Sequence, residues 1–206
     1  MAERILVMAT RNRGKIHELN VLLSGFDVEI RSMEDFGPIP EPVEDGSTFE
    51  ENAYKKAAHT ARMLGFPALA DDSGIVVESL GGAPGIHSAR YAGVGATDEE
   101  NNRKLLRELE GVVNRKAEFR CVIVIAVPQG PALTYEGSCE GEIALSLLGE
   151  NGFGYDPLFY YPPLGKTFAQ MDTEEKNEVS HRGRAFRELR SEFPKVLVWM
   201  KQRLED

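Results

Sequence analysis

The first 32 residues alternate between strand and helix patterns, and this order limits the possible folds more than any other feature. Residues 4–9, RILVMA, are an apolar run typical of a buried strand, and residues 26–32, FDVEIRS, alternate as a second strand. Between them, apolar residues recur at the spacing of one helix face: Ile16, Leu19, Leu22 and Leu23. A strand, a helix and a second strand predict a βαβ unit and therefore an α/β protein.

Helix caps and turn residues predict the elements that follow. Thr48 with Glu51 three residues later is typical of a helix start, and Gly65 is typical of its end. Thr97 caps a second amphipathic helix, predicted over residues 97–110.

The second half of the chain adds a hairpin and two closing helices. Strand patterns over 117–127 and 132–145 are separated by PQGP and predict an antiparallel pair. Helices are expected over 180–191 and 193–204, with a break near Pro194. Residues 33–47 are rich in Pro and acidic side chains without periodicity, and so long a loop in a compact domain is mobile or functional.

Composition narrows the class of protein. A chain of 206 residues is long enough for one domain with a real core, and we expect a single domain over 1–206. The net charge of −9 argues against non-specific nucleic-acid binding. No apolar run approaches the ~20 residues of a membrane helix, and no signal pattern opens the chain, so we expect a cytoplasmic protein without a membrane partner. Cys121 and Cys139 lack metal-site spacing and are expected to be buried thiols.

Residues 67–77, PALADDSGIVV, place Asp71 and Asp72 between two apolar runs. Asp is a poor strand former, so the pair is expected at a strand end. One interpretation is a tight turn, since Asp, Ser and Gly favour turns. The other is a metal or phosphate site, because Mg²⁺ binds through one or two carboxylates together with substrate phosphates and water.

Two further segments carry polar groups suited to an anionic ligand. ATRNRGK, residues 9–15, places Thr10, Asn12 and Lys15 where a strand gives way to a helix N-terminus, although a capped helix with a surface lysine explains the same residues. Glu44 lies in the acidic loop, where a solvated surface role is the simpler interpretation. Lys56 lies toward the apolar helix face, where it either extends its amine back to solvent or neutralises phosphate.

Aromatic and cationic residues concentrate toward the C-terminus. NGFGYDPLF, residues 151–159, combines rings, glycines and Asp156, and is typical either of a clamp on a base or of an aromatic turn that fills the core. EEKNEVSHRGRAF, residues 174–186, brings Lys176, His181 and Arg182 near a helix start at Ser180. A role as helix N-cap explains Ser180 without any function in binding or catalysis.

Together these motifs resemble the inosine triphosphate pyrophosphatase family, also called HAM1-like. The matching segments run through nearly the whole chain in family order: ATRNRGK (9–15), EDGSTFEENAYKKA (44–57), ALADDSG (68–74), GGAPGIHSARYAG (81–93), GFGYDPLF (152–159) and EEKNEVSHRGRA (174–185). One departure is Arg11, at a position that is often glycine in the family.

The resemblance implies an elongated α/β fold of two lobes, with a long mixed central sheet, flanking helices and a nucleotide cleft between the lobes. It implies a Mg²⁺-dependent homodimer that cleaves ITP, dITP and XTP to the monophosphate and pyrophosphate. The resemblance also implies that Asp72 is the general base, that Asp72 and Glu44 are metal ligands, and that Lys56 is a catalytic cation. The implied substrate contacts are Thr10, Arg11, Asn12, Arg13, Gly14, Lys15, Ser73, Phe153, Gly154, Tyr155, Asp156, Lys176, His181 and Arg182.

Two rival functions are a Maf-like pyrophosphatase for pyrimidine or modified nucleotides and a nucleotide sensor without turnover. The first would not share the SHR and GFGYDP segments. The presence of Lys15, Lys56 and Asp72 together argues against the second.

Overall fold

The computed structural model describes residues 5–11, 13–40, 42 and 44–205. Seven strands of the described chain form one sheet: β1 (Ile5–Met8), β2 (Glu29–Ser32), β3 (Ala68–Val77), β4 (Lys116–Ala126), β5 (Ala132–Ile143), β6 (Phe159–Tyr161) and β7 (Lys166–Thr167). The α-helices are α1 (Arg13–Leu22), α2 (Phe49–Leu64), α3 (Asp98–Glu108), α4 (Thr173–Val179) and α5 (His181–Glu205). None of these helices has the length and apolar character needed to cross a membrane.

The sheet is mixed, which confirms the α/β class. Its strand order is β2-β1-β3-β4-β5-β6-β7, and β1 runs parallel to both of its neighbours. Ile5 lies opposite Glu29, so the predicted βαβ unit is present. The β5–β6 and β6–β7 pairs are antiparallel, and the two predicted hairpin strands, β4 and β5, are neighbours.

Most predicted helix ends are correct. The Thr48 hydroxyl accepts from the Glu51 amide at 3.0 Å, and Gly65 ends α2 with φ of 75°. The Glu51 carboxylate, however, accepts from the Ser47 amide at 2.7 Å rather than closing a box with Thr48. Thr97 caps α3 in a full capping box.

Two boundary predictions are wrong. β3 is one strand of ten residues that runs through Asp71 and Asp72 instead of ending there. α5 continues through Pro194, so the expected break is absent. Apolar residues before and after the proline are fully buried, including Phe193 and Val196, and this packing offsets the missing backbone hydrogen bond.

The loop predicted over 33–47 is partly ordered by a turn of 3₁₀ helix, Met33–Phe36, capped by Ser32. The Asp35 carboxylate accepts a hydrogen bond of 2.8 Å from the Ser32 amide, which completes the cap. Met33 and Ile39 are buried in the core, so this segment contributes to packing.

The chain divides into two compact units. Unit 1 contains 1–72, 122–136 and 185–206, and unit 2 contains 73–121 and 137–184. Unit 1 has a core in which Ala53, Ala57 and Ala61 of α2 are fully buried. Unit 2 has its own core around Phe159 and Phe168.

Candidate active site

In unit 1, Lys15 and Asp71 form a two-pronged ion pair. Lys15 lies in the first turn of α1, the helix that follows β1 in the chain. Its Nζ lies 3.0 Å from Asp71 Oδ1 and 2.8 Å from Oδ2, and Asp71 is buried. The pairing of β1 with β3 brings these residues together, since the Ala9 amide donates to the Leu69 carbonyl at 2.8 Å. Asp71 therefore fixes the position of the Lys15 ammonium group.

Asp72 faces a second lysine. Lys56 Nζ on α2 lies 3.2 Å from Asp72 Oδ1 and 3.8 Å from Glu44 Oε1. Asp72 Oδ2 is buried and has no hydrogen-bond partner among the described residues. Burial raises the pKa of the Asp72 carboxyl, and the Lys56 ammonium group opposes that shift. The prediction that Lys56 lies toward the inner side of its helix is confirmed, and its amine bridges two carboxylates.

The acidic loop that carries Glu44 is attached to α2 by Asn52. The Gly46 amide donates to Asn52 Oδ1 at 2.8 Å, and Asn52 is almost fully buried. A Cβ at Gly46 would lie 2.6 Å from this same oxygen, so only glycine fits the approach. Sequence reasoning missed Asn52, whose signal was a polar residue on the apolar face of α2.

A pocket of about 260 Å³ in unit 1 brings several of the predicted phosphate-side residues together, but its lining does not include Asp72. Its lining includes Thr10, Arg11, Lys15, Glu44, Lys56 and Asp71. Asn12 lies outside the described residues, and Arg13 and Gly14 occupy the first turn of α1. The pocket thus combines three cationic side chains with two carboxylates at a helix N-terminus.

In unit 2, the loop over 152–156 holds an exposed ring on a fixed backbone. Phe153 is 65% exposed, and its amide donates to Asp156 Oδ2 at 2.9 Å. The same carboxylate oxygen lies 2.5 Å from Lys176 Nζ, and Lys176 lies 4.7 Å from the centre of the Phe153 ring. Burial raises the pKa of the Asp156 carboxyl, opposed by Lys176. A Cβ at Gly152 would lie 2.0 Å from Asp156, so the loop requires glycine there.

Tyr155 has a structural role. Its side chain is buried in the unit 2 core, and its hydroxyl donates to the Ser88 carbonyl at 2.8 Å. Of the two interpretations of this segment, core filling therefore describes Tyr155, while the exposed Phe153 is the ring available to a ligand.

His181 and Arg182 begin α5. The Ser180 hydroxyl accepts from the Gly183 amide at 3.1 Å, which confirms Ser180 as a helix cap. The His181 ring is nearly buried and stacks on Phe119, with 4.6 Å between centres and an interplanar angle of 10°. Phe119 orients this histidine, and no sequence pattern pointed to that role.

Ser73 directly follows Asp72 on β3. Its Oγ is buried and makes no hydrogen bond to the described residues. A separate depression of about 780 Å³ in unit 2 contains none of the predicted site residues.

These motifs and this geometry agree with the comparisons. The model of the Ham1 family matches residues 6–192. The chain belongs to the Ham1 family. The dITP/XTP pyrophosphatase of Syntrophobacter fumaroxidans is 63% identical over 206 residues, which cover 100% of this chain and 89% of that relative. The dITP/XTP pyrophosphatase of Desulfotalea psychrophila is 56% identical, with 98% of this chain and 91% of the relative covered.

Solved Ham1 structures have the same fold. The Ham1 protein of Staphylococcus aureus superposes with a TM-score of 0.88 at 42% identity, covering 93% of this chain and 98% of that one. A HAM1 protein from Coxiella burnetii gives a TM-score of 0.89 with the same identity and coverage. The mixed sheet described above is therefore the Ham1 architecture.

Two carboxylates of this Ham1 chain have the chemistry of protein ligands to Mg²⁺. Among the described residues no cluster of three or more His, Cys, Asp or Glu side chains could hold a metal alone. Asp72 and Glu44 supply two carboxylates near Lys56, and Asp72 Oδ2 is buried without a hydrogen bond to the described residues. Mg²⁺ commonly takes one or two protein carboxylates and completes its shell with phosphate oxygens and water.

Proposed function

We propose that this protein hydrolyses deaminated purine nucleoside triphosphates, such as ITP, dITP and XTP, to the monophosphate and pyrophosphate. The observation that carries the proposal is the partly buried Asp72 carboxylate beside Lys56 and Glu44, close in the chain and sheet to the Lys15–Asp71 pair. The names of the similar dITP/XTP pyrophosphatases support the substrate class.

In the proposed reaction, a water oxygen attacks the α-phosphorus. Asp72 accepts the proton from that water and so acts as the general base. The new bond from oxygen to phosphorus forms as the bridging bond to the β-phosphate breaks. Lys15 and Lys56 place positive charge where the pyrophosphate leaves, so the charge that develops is stabilised.

Asp72 and Glu44 would hold the Mg²⁺ ion, which when bound supplies positive charge to the phosphate oxygens. Lys56 contacts both carboxylates and limits their mutual repulsion. A homodimer, which the resemblance implies, belongs to the same proposal.

Base recognition is assigned to unit 2. Phe153 offers an exposed ring for stacking on a purine, and Lys176 lies against that ring. His181 and Arg182 supply hydrogen-bond donors suited to the C6 oxygen of hypoxanthine and xanthine. Adenine carries an amino donor at C6, and two donors left facing each other cost ~1–3 kcal/mol.

The test is product analysis with a panel of nucleotides and Mg²⁺. Phosphorus NMR of early product from ITP should show pyrophosphate and the monophosphate, with much slower turnover of ATP and of pyrimidine triphosphates. Orthophosphate as the initial product would contradict the proposal. Preferred turnover of a pyrimidine triphosphate would favour the Maf-like function, and no turnover would favour the sensor.

A further inference from the structure

Side chains of helix α3 bind the loop that carries Phe153, and both of their contacts are with one loop residue, Gly154. The Gly154 amide donates to Asp98 Oδ2 at 2.7 Å. Asn102 Nδ2 donates to the Gly154 carbonyl at 2.8 Å. Asp98 and Asn102 are four residues apart, so they lie on one face of the helix and reach the same residue of the loop. Both backbone polar groups of Gly154 are thus engaged by side chains of α3.

The neighbouring residues of the loop are held as well. Asp156 accepts from the Phe153 amide at 2.9 Å, and its own amide donates to the Phe153 carbonyl at 3.2 Å. Gly154 itself has φ of 60°, a conformation that side-chain-bearing residues rarely adopt. The backbone on both sides of Phe153 is fixed, while its ring is 65% exposed.

α3 is a firm support for this contact. Thr97 and Glu100 form a capping box at its start, and Leu105 is fully buried in the unit 2 core. Asn102 is 4% exposed, and its Oδ1 has no hydrogen-bond partner among the described residues. An amide oxygen buried in this way reduces stability. The benefit of asparagine at this position is therefore its bond to Gly154.

We propose that Asp98 and Asn102 are positioning residues that strengthen purine binding by fixing the Phe153 ring. This inference rests on the proposed function, in which Phe153 stacks on the purine. Neither side chain needs to touch the substrate, because both act through Gly154. Loss of either contact lets the loop adopt other conformations, and the ring must then be ordered again each time a nucleotide binds.

The kinetic test compares Asp98→Ala and Asn102→Ala with the wild-type enzyme on ITP and ATP. We expect KM for ITP to rise about five- to tenfold in each variant while kcat stays within about twofold, because the contacts position the base and not the phosphates. KM for ATP should rise by a similar factor, because stacking does not distinguish one purine from the other. Asp98→Asn keeps an oxygen that accepts from Gly154 and should restore near-wild-type KM.

Two residues of the same helix provide matched controls. Asn101 is also buried, but it contacts Ala89 at 3.2 Å and Ala92 at 2.7 Å instead of the 152–156 loop. Asn101→Ala should lower stability without raising KM for ITP. Glu99 pairs with Arg103 on the surface, and Glu99→Ala should change neither the stability nor KM for ITP.

A measurement without substrate tests the contact itself. Hydrogen exchange at the Gly154 amide should become about tenfold faster or more in Asp98→Ala and stay slow in Glu99→Ala. Unchanged exchange, or an equal rise in KM for Asn101→Ala, would overturn the inference even if wild-type enzyme releases pyrophosphate from ITP. If wild-type enzyme releases none, the proposed function fails instead, and with it the assignment of Phe153 to purine stacking.

Discussion

Asp71 and Asp72 are neighbours in the chain but have different partners. Asp71 is buried against Lys15 of α1, and Asp72 contacts Lys56 of α2. Successive side chains of a strand lie on opposite faces, so one strand can supply a carboxylate to each of two lysines. This division predicts different consequences for removing each charge.

Asp72→Asn keeps the size of the side chain but removes its charge and its capacity to accept a proton. We expect kcat for ITP to fall by ~10²–10⁴ because general-base assistance is lost, while circular dichroism shows an intact fold. Asp71→Asn leaves the proposed base in place and weakens only the positioning of Lys15, so its rate loss should be smaller. Equal rates for Asp72→Asn and wild type would contradict the proposed mechanism.

Arg182→Ala should change substrate choice. Loss of a donor to the C6 oxygen should lower kcat/KM for ITP more than for ATP, so their ratio shrinks by roughly tenfold if a hydrogen bond of ~1.4 kcal/mol is lost. Lys15→Ala, which removes a proposed phosphate contact, should lower kcat/KM about equally for both substrates. If the ratio survives Arg182→Ala, Arg182 binds phosphate and not the base.

Among elements, the junction between α4 and α5 depends on close backbone packing. A Cβ at Gly183 would lie 1.8 Å from the Asn177 carbonyl oxygen. Ser180 separates the two helices and caps the second by accepting from the Gly183 amide. The positions of His181 and Arg182 therefore depend on a glycine one residue further along.

Gly183→Ala should separate α4 from the start of α5, because the obstructing atom belongs to the backbone. We expect a loss of roughly 2 kcal/mol or more in the free energy of unfolding, together with weaker discrimination between ITP and ATP. Gly81→Ala is the control, since Gly81 has φ of 64° and nothing within 4 Å of a Cβ. It should cost ~1 kcal/mol of backbone strain without affecting discrimination. Denaturant titration of both variants measures the difference.

At the scale of the whole molecule, each compact unit has its own buried core, and both cysteines belong to unit 2. Cys121 and Cys139 are buried and form no disulfide, as the sequence predicted. Burial raises the pKa of the Cys139 thiol to about 11. Thiol reactivity should therefore report the opening of unit 2.

At pH 8 the Cys139 thiol is protonated almost completely in the folded protein and is inaccessible to reagents, so labelling should be slow. Unfolding exposes the thiol and returns its pKa to the ordinary range, so labelling should accelerate together with loss of the unit 2 core. A Cys121→Ala variant isolates Cys139 for the measurement. Rapid labelling in native buffer would show that β5 opens without global unfolding.

Local patterns were sufficient for much of this structure. The βαβ unit, the Thr48 and Thr97 caps and the buried alanine face of α2 follow from periodicity and capping chemistry, which act over a few residues. Lys56 was placed toward the inner face by the same spacing. Candidate site residues came from motifs, because polar groups at a strand-to-helix junction suit an anion.

Only the tertiary structure decided where a strand or helix continues past the end that local patterns predict. β3 runs through Asp71 and Asp72 because distant lysines compensate their charges. Lys15 pairs with Asp71 across 56 residues of chain, and Lys56 pairs with Asp72 across 16 residues. α5 continues through Pro194 because the core holds the residues on either side of it. Gly154 is bound by Asn102 and Asp98, which lie 52 and 56 residues before it in the chain. Each outcome depends on partners that only folding brings together. The sequence by itself determined the fold class, the helix caps and the site motifs. Long-range contacts decided how far β3 and α5 extend.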